Sequence, residues 1–91
     1  LDVDTDKCLV LLNGEEVHLT STEYKLLCYL IENKGRIVTK AMLLEQLWDI
    51  DGNFVDENTV RVNIKRLRQK LNDDKQEYIV TVFGMGYTFG E

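Results

Sequence analysis

Apolar positions along this chain keep two different rhythms, and the change from one to the other marks out its elements. Over the first twenty residues they come in short runs. "KCLVLL" and "EEVHL" flank Asn13-Gly14. An Asn-Gly pair between apolar runs predicts a hairpin, because both residues tolerate the positive φ that a tight two-residue turn demands. "LDVD" predicts a further short strand, with Thr5-Asp6 as its turn. Strands this few and this short do not stand alone, so something must cover one face.

The period then lengthens to that of a helix. Thr20-Ser21-Thr22-Glu23 matches the capping box, in which the cap hydroxyl accepts the third amide and the glutamate accepts the cap amide. Tyr24, Leu27, Cys28 and Ile31 follow at helical spacing, and Asn33-Lys34-Gly35 ends the segment, with Gly35 suited to a left-handed exit. "RIV" reads as an extended connector. Thr39 is a candidate cap for a second helix, "KAMLLEQLWD", whose apolar stripe is Leu43, Leu44, Leu47 and Trp48. The Asp and Gly content of 49–56, "DIDGNFVD", predicts a loop. Asp56 is the expected start of the longest helix, which runs to Leu71 or Asn72 before Asn72-Asp73-Asp74-Lys75 breaks it. "YIVTVFGMGYTF" predicts two strands joined through Gly84-Met85-Gly86. Strands, three helices, then a hairpin is the α+β layout of a winged helix-turn-helix: an antiparallel sheet over 1–20, three helices over 21–72 and a wing hairpin over 78–90, in one domain spanning 1–91.

Length agrees with one domain. A chain of 91 residues buries only about 60–65% of its unfolded surface, enough for a single modest core. No apolar run approaches the ~20 residues that span a bilayer, and the acidic start lacks the basic region of a secretory signal. No membrane partner is expected, and the expected location is cytoplasmic. Because the chain opens without Met inside what reads as a strand, it is expected to be a piece of a longer protein. Cys8 and Cys28 fit neither metal nor redox spacing and read as reduced core thiols. With no proline present, the turns rest on Gly, Asn and Asp.

Charge changes the picture most. The chain carries a formal charge of −5, yet Arg61, Lys65, Arg66, Arg68 and Lys70 fall within ten residues that contain no acid. The other 81 residues hold six basic and sixteen acidic side chains. At 100° per residue, Ile64, Leu67 and Leu71 lie within about 40° of Val60, a tight apolar stripe for the core. Arg68, Arg61, Lys65, Asn58 and Gln69 cover roughly 80–180°, with Val62 and Arg66 beyond them. One face is thus oily and the other basic and amide-rich. A solvated helix face ordinarily interleaves acids at i, i+4, and this one has none between Asn58 and Asn72. Arg and Lys read guanine edges or hold phosphates, Asn and Gln read adenine edges, and Val62 suits a thymine methyl. The net acidity argues against unspecific adhesion to DNA, and is compatible with a focused basic footprint.

"LTSTEYKLLCYLIENKGRIVTKAMLLEQLW", "DENTVRVNIKRLRQKL" and "YIVTVFGMGYTF", in this order over essentially the whole chain, resemble the DNA-binding effector domain of OmpR/PhoB-type response regulators. That resemblance implies an antiparallel N-terminal sheet, three helices and a C-terminal wing. It implies that the third helix, about 57–71, enters the major groove, with Arg61, Val62, Lys65 and Arg66 toward bases and Asn58, Thr59, Asn63 and Arg68 toward phosphates. Thr39 and Lys40 look like further phosphate contacts, where a helix N-terminus adds its amides. Trp48 lies where the family sets a tryptophan beside the DNA backbone, and core packing explains it equally well. In the wing, Thr81, Gly84, Met85 and Tyr87 are candidates for sugar-phosphate contact. Many members carry Arg at the position of Phe83, where it reaches the minor groove; Phe83 cannot make that charged contact, and hairpin packing is its expected role. The segment with Asp49, Asp51, Asn53 and Phe54 corresponds to the family's loop for RNA polymerase.

The resemblance further implies bacterial transcriptional control, with a phosphorylated receiver domain, a cognate histidine kinase and pairing of two output domains on tandem DNA half-sites. The isolated domain is expected to be a monomer that dimerises on DNA. No receiver-like βα repeat lies within these residues. The stretch "DGNFVDENTVRVNIKRLRQKL" is similar to that of cell-envelope stress regulators of Gram-positive bacteria. The rival reading is a winged-helix protein-interaction module that docks an acidic partner through the basic helix; RNA binding lacks the stacking aromatics on an open sheet that it needs. A calcium loop starting at Asp49 fails, since the required Gly is Phe54 and the required Glu is Val60. His18 is the only histidine, and no phosphate-cradling Gly loop precedes a helix, so neither an enzyme nor a metal or cofactor site is expected.

Overall fold

The structure, a computed structural model, describes residues 1–7, 9–51, 57–73 and 77–90, with the backbone alone at 48–51 and 57. Three strands open the chain: β1 (Asp2–Asp4), β2 (Leu9–Leu12) and β3 (Glu15–Glu16). They form an antiparallel sheet in the order β1-β2-β3. Asn13 and Gly14 take φ of 52° and 84°, as a tight hairpin turn requires, and set Leu12 opposite Glu15. The ladder extends by one bond beyond β3, from the Val17 amide to the Val10 carbonyl. At the other turn the Asp4 carboxylate accepts the amides of Asp6 and Lys7.

Helix α1 (Ser21–Glu32) starts with both halves of the capping box in place. Its buried stripe is Glu23, Leu26, Leu27 and Leu30, whereas Tyr24, Cys28 and Ile31 are half-buried. The helix is therefore rotated by about one position from the stripe predicted above. "YKLLCYLI" is apolar enough on two adjacent faces that only the packing partners choose between them. Gly35 exits at φ 83°. The predicted connector contains a strand, β4 (Val38–Thr39), which leads directly into α2 (Lys40–Asp51).

Helix α2 runs through Asp49 and Asp51, so those two acids stand on a helix and not in a loop. Asp costs only about 0.7 kcal/mol in a helix relative to Ala, too little to end one while its other face packs. The rest of the expected loop, with Asn53 and Phe54 and the proposed Asp56 cap, lies outside the described residues, as do Cys8, Asp74 and Lys75.

Helix α3 (Glu57–Lys70) buries the stripe the periodicity predicts: Val60, Ile64 and Leu67, continued by Leu71. Its end has the hydrogen bonds of a Schellman motif. Asn72 sits at φ 54°, its amide donates to Gln69 and the Asp73 amide donates to Arg68. The wing follows as β5 (Ile79–Val82) and β6 (Gly86–Phe89). Strand β6 also pairs with β4, giving a second sheet in the order β4-β6-β5. A Cβ on Gly86 would come within 2.1 Å of the Val38 carbonyl oxygen, which explains a glycine at that crossing. The three helices and both sheets share one core, in which Leu26, Leu27, Leu30, Val38, Leu43, Leu47, Leu67 and Ile79 have no exposed surface.

Candidate nucleic-acid interface

Five cations leave α3, and the structure divides them into two groups. Arg61, Lys65 and Arg66 are exposed on the side away from the buried stripe. Arg68 and Lys70 are engaged within the fold. Lys70 Nζ donates to Glu23 Oε1 in an ion pair that joins the end of α3 to the start of α1. Glu23 is only 1% exposed. Burial by itself would raise its pKa, but the bond from Lys70, the Thr20 amide and the lysine charge outweigh that and hold the carboxyl below its ordinary value. One glutamate thus completes the α1 cap and anchors the basic helix.

Arg68, expected toward phosphates, instead braces the wing. Its Nε and Nη2 donate to the Ile79 carbonyl at 3.1 and 2.6 Å, and Nη2 also reaches Thr81 Oγ1 at 2.8 Å. The guanidinium lies 5.7 Å from the centre of the Tyr87 ring, within cation–π range. Burial lowers its pKa, while Tyr87 and Asp73 act in the opposite direction; an arginine so placed remains charged at neutral pH. A planar fork that can bond a carbonyl and a hydroxyl at once is better satisfied here than at a solvated phosphate.

Two more expected contacts are displaced. Asn63 is buried, and its amide nitrogen donates to the Thr59 carbonyl one turn back; an Asn on the packed side of a helix has to find such a partner. Tyr87 is 7% exposed and belongs to the core, because β6 is the middle strand of its sheet and is covered on the helix side.

Phe83 reverses its expected role as well. It is 93% exposed, with Met85 at 53%. The last ladder pair is Val82 with Gly86, so residues 83–85 form the apex, where Phe83 stands almost wholly in solvent. Gly84 turns there at φ 76°, and the Met85 amide closes the turn on the Val82 carbonyl. Thr81 is half-buried with its hydroxyl accepting from Arg68.

The remaining candidates stand as follows. Thr39 Oγ1 accepts the Met42 amide, so it caps α2, and Lys40 beside it is partly exposed. Asn58 is exposed; Thr59 and Val62 are half-buried. The Trp48 side chain lies outside the described residues. Between α3 and the wing runs a groove of about 380 Å³, lined on the helix side by Arg61, Lys65, Arg68 and Gln69 and on the other by Tyr87.

Asp73, expected only as part of the break after α3, has a larger role. Its carboxylate, on a residue 4% exposed, accepts three successive amides: Glu77 at 2.7 Å and Tyr78 at 3.1 Å on Oδ1, and Ile79 at 2.9 Å on Oδ2. It ties the end of α3 to the first residue of the wing. The only signal for this is an acid placed just after a left-handed Asn and before a strand.

A capped helix-turn-helix whose third helix presents Arg61, Lys65 and Arg66 on its outer face beside a braced β-hairpin is a winged-helix DNA-binding domain by architecture. Residues 14–89 match the family described as the C-terminal domain of transcriptional regulatory proteins. The chain belongs to that family, the DNA-binding output domains of OmpR/PhoB-type response regulators, which is not a family of enzymes. It is 41% identical over 93 residues to the transcriptional regulatory protein YcbL of Bacillus subtilis, covering all of this chain and 41% of YcbL. Its fold is similar to that of the response regulator DrrB of Thermotoga maritima, with a TM-score of 0.87 and 36% identity over 98% of this chain and 41% of DrrB. It is similar also to the DNA-binding domain of the response regulator AdeR in complex with an intercistronic region, with a TM-score of 0.84 and 26% identity over 99% of this chain and 93% of that one. The chain spans about two-fifths of the length of the curated relatives it matches. Among the described residues, no helix is long and apolar enough to cross a membrane.

Proposed function

We propose that α3 reads the major groove of duplex DNA through Arg61, Lys65 and Arg66, with Val62 beside them, while Thr39 and Lys40 at the start of α2 hold a flanking phosphate. The observation that carries this is the division of the cations. Lys70 is paired with Glu23 and Arg68 braces the wing, while Arg61, Lys65 and Arg66 lie exposed on one face that holds no carboxylate from Asn58 onward. Exposed like charges at i, i+4 and i, i+5 repel, and an anionic surface removes that cost. Asn58 and Thr59, in the first turn, suit the phosphates nearest the helix start.

Family membership supports a wider arrangement, in which a linked receiver domain phosphorylated by a histidine kinase would bring two output domains onto tandem half-sites in the cytoplasm. Pairing then adds effective concentration without new contacts per domain. The segment around 49–56 is the candidate contact for RNA polymerase, with Asp49 and Asp51 in the last turn of α2.

The test is selection of this domain against a random duplex library, followed by anisotropy titrations at two salt concentrations. A short motif is expected, with Lys65→Ala or Arg66→Ala relaxing it at particular bases and Lys40→Ala weakening all duplexes evenly. Equal, weak binding to every duplex would sink sequence-specific reading and favour a protein-interaction module with an acidic partner.

A further inference from the structure

The apex of the wing is chemically unlike the rest of the DNA-facing surface. Phe83 and Met85 flank Gly84 at the tip and expose 93% and 53% of their surface. A lone exposed apolar residue needs no explanation. Two large ones on either side of a glycine turn, on a hairpin held rigidly to the recognition helix, do.

Position says what they meet. Arg68 fixes β5 to α3 at Ile79 and Thr81, and the tip begins two residues later, about 7 Å further along the strand. The groove between α3 and the wing carries Arg61 and Lys65 on its helix side, while its one carboxylate, Asp73, is already occupied by three amides, and so it suits a sugar-phosphate strand. With α3 in the major groove, one sugar-phosphate strand separates that groove from the minor groove. Whatever lies across that strand from α3 therefore faces the minor groove. Phe and Met are among the residues that wedge between base steps from that side, unstacking them in part and bending the duplex.

We propose that Phe83 and Met85 form an apolar wedge that enters the minor groove beside the half-site read by α3 and opens a base step there. This rests on the placement of α3 proposed above. The wedge selects by deformability: pyrimidine–purine steps such as TA, the easiest to unstack, are favoured at one position that no hydrogen bond reads. Being uncharged, the contact releases no counterions, so it adds affinity without adding salt dependence.

The experiment uses the duplex chosen by selection, with 2-aminopurine in the flanking step and that step varied between TA and a stiff A-tract. The parent domain is expected to brighten the probe on binding and to prefer TA. Phe83→Ala is expected to bind about ten-fold more weakly, the part of a buried phenyl's transfer free energy that remains after a step is unstacked. It should also lose both the fluorescence rise and the TA preference, with its salt slope unchanged. Phe83→Arg should recover affinity with a slope steeper by about 0.9. Since Phe83 stands almost wholly in solvent, both variants are expected to keep the parent's circular dichroism.

Lys65→Ala separates this proposal from the reading it rests on. If Lys65→Ala loses the motif while Phe83→Ala matches the parent in affinity, probe signal and step preference, the wedge is wrong and α3 stands. If Phe83→Ala binds single sites normally and loses only cooperative filling of adjacent sites, the tip docks on a second copy and the wedge is again wrong. If neither variant differs from the parent on any duplex, both readings fall.

Discussion

Asp73→Ala tests the joint between the recognition helix and the wing. The aspartate carboxylate accepts three amides, and their surroundings differ. Ile79 is fully buried, so its amide loses its side-chain acceptor where water cannot replace it, at a cost of about 1–3 kcal/mol. Glu77 is exposed and Tyr78 half-buried, so water takes over there and only the advantage of a charged acceptor is lost, roughly 0.5 kcal/mol each. The sum is about 3 kcal/mol, a large share of the 5–15 kcal/mol typical of a domain. At this chain length, each kcal/mol moves the melting temperature by about 4–8 °C, so a fall of about 12–24 °C is expected by circular dichroism, with a matching drop in urea midpoint. Asp73→Asn keeps one acceptor oxygen and should lose about half as much. A melting temperature within about 3 °C of the parent for Asp73→Ala would refute the reasoning, because it would mean that the three amides are equally well served without the carboxylate.

Two further outcomes follow from the same cross-links. Glu23 is held below the ordinary carboxyl range in the folded state, so its contribution to stability is complete above that range and is lost as pH falls through the folded pKa. Urea melts over an acid pH series should therefore show a steeper acid loss for the parent than for Glu23→Gln, and parallel curves would remove the Lys70–Glu23 pair from the account. Arg68→Ala should lower the melting temperature while leaving the salt slope of DNA binding unchanged, whereas Lys65→Ala should reduce that slope by about 0.9; equal reductions would return Arg68 to the phosphates.

Helical periodicity and turn chemistry carried most of the fold, since both are local. Val60, Ile64, Leu67 and Leu71 share a stripe whatever surrounds them, Asn13-Gly14 turns by its own φ preferences, and Thr20 with Glu23 closes a box within four residues. Where two local answers were nearly equal, as on α1 with its two apolar faces, the packing partners decided. The site was legible as a charge cluster and not as a set of roles. Nothing near Lys70 in sequence announces Glu23, which lies 47 residues away, and nothing near Arg68 announces the carbonyl of Ile79. Phe83 and Tyr87 exchanged their expected places because a strand's inward side depends on what covers it. The middle strand β6 is covered, and the apex is not.

The N-terminal sheet ends in two very short edge strands, β1 with exposed Asp2 and Asp4 and β3 with exposed Glu15 and Glu16. An unpaired strand edge invites a neighbouring chain to continue the ladder, and short length and fixed charge are the usual deterrents. Here a second copy attempting to extend the sheet would bring carboxylates to within about 4.8 Å of carboxylates, with few backbone bonds in return. Among the described residues, both edges of this sheet are thus guarded by charge and by shortness.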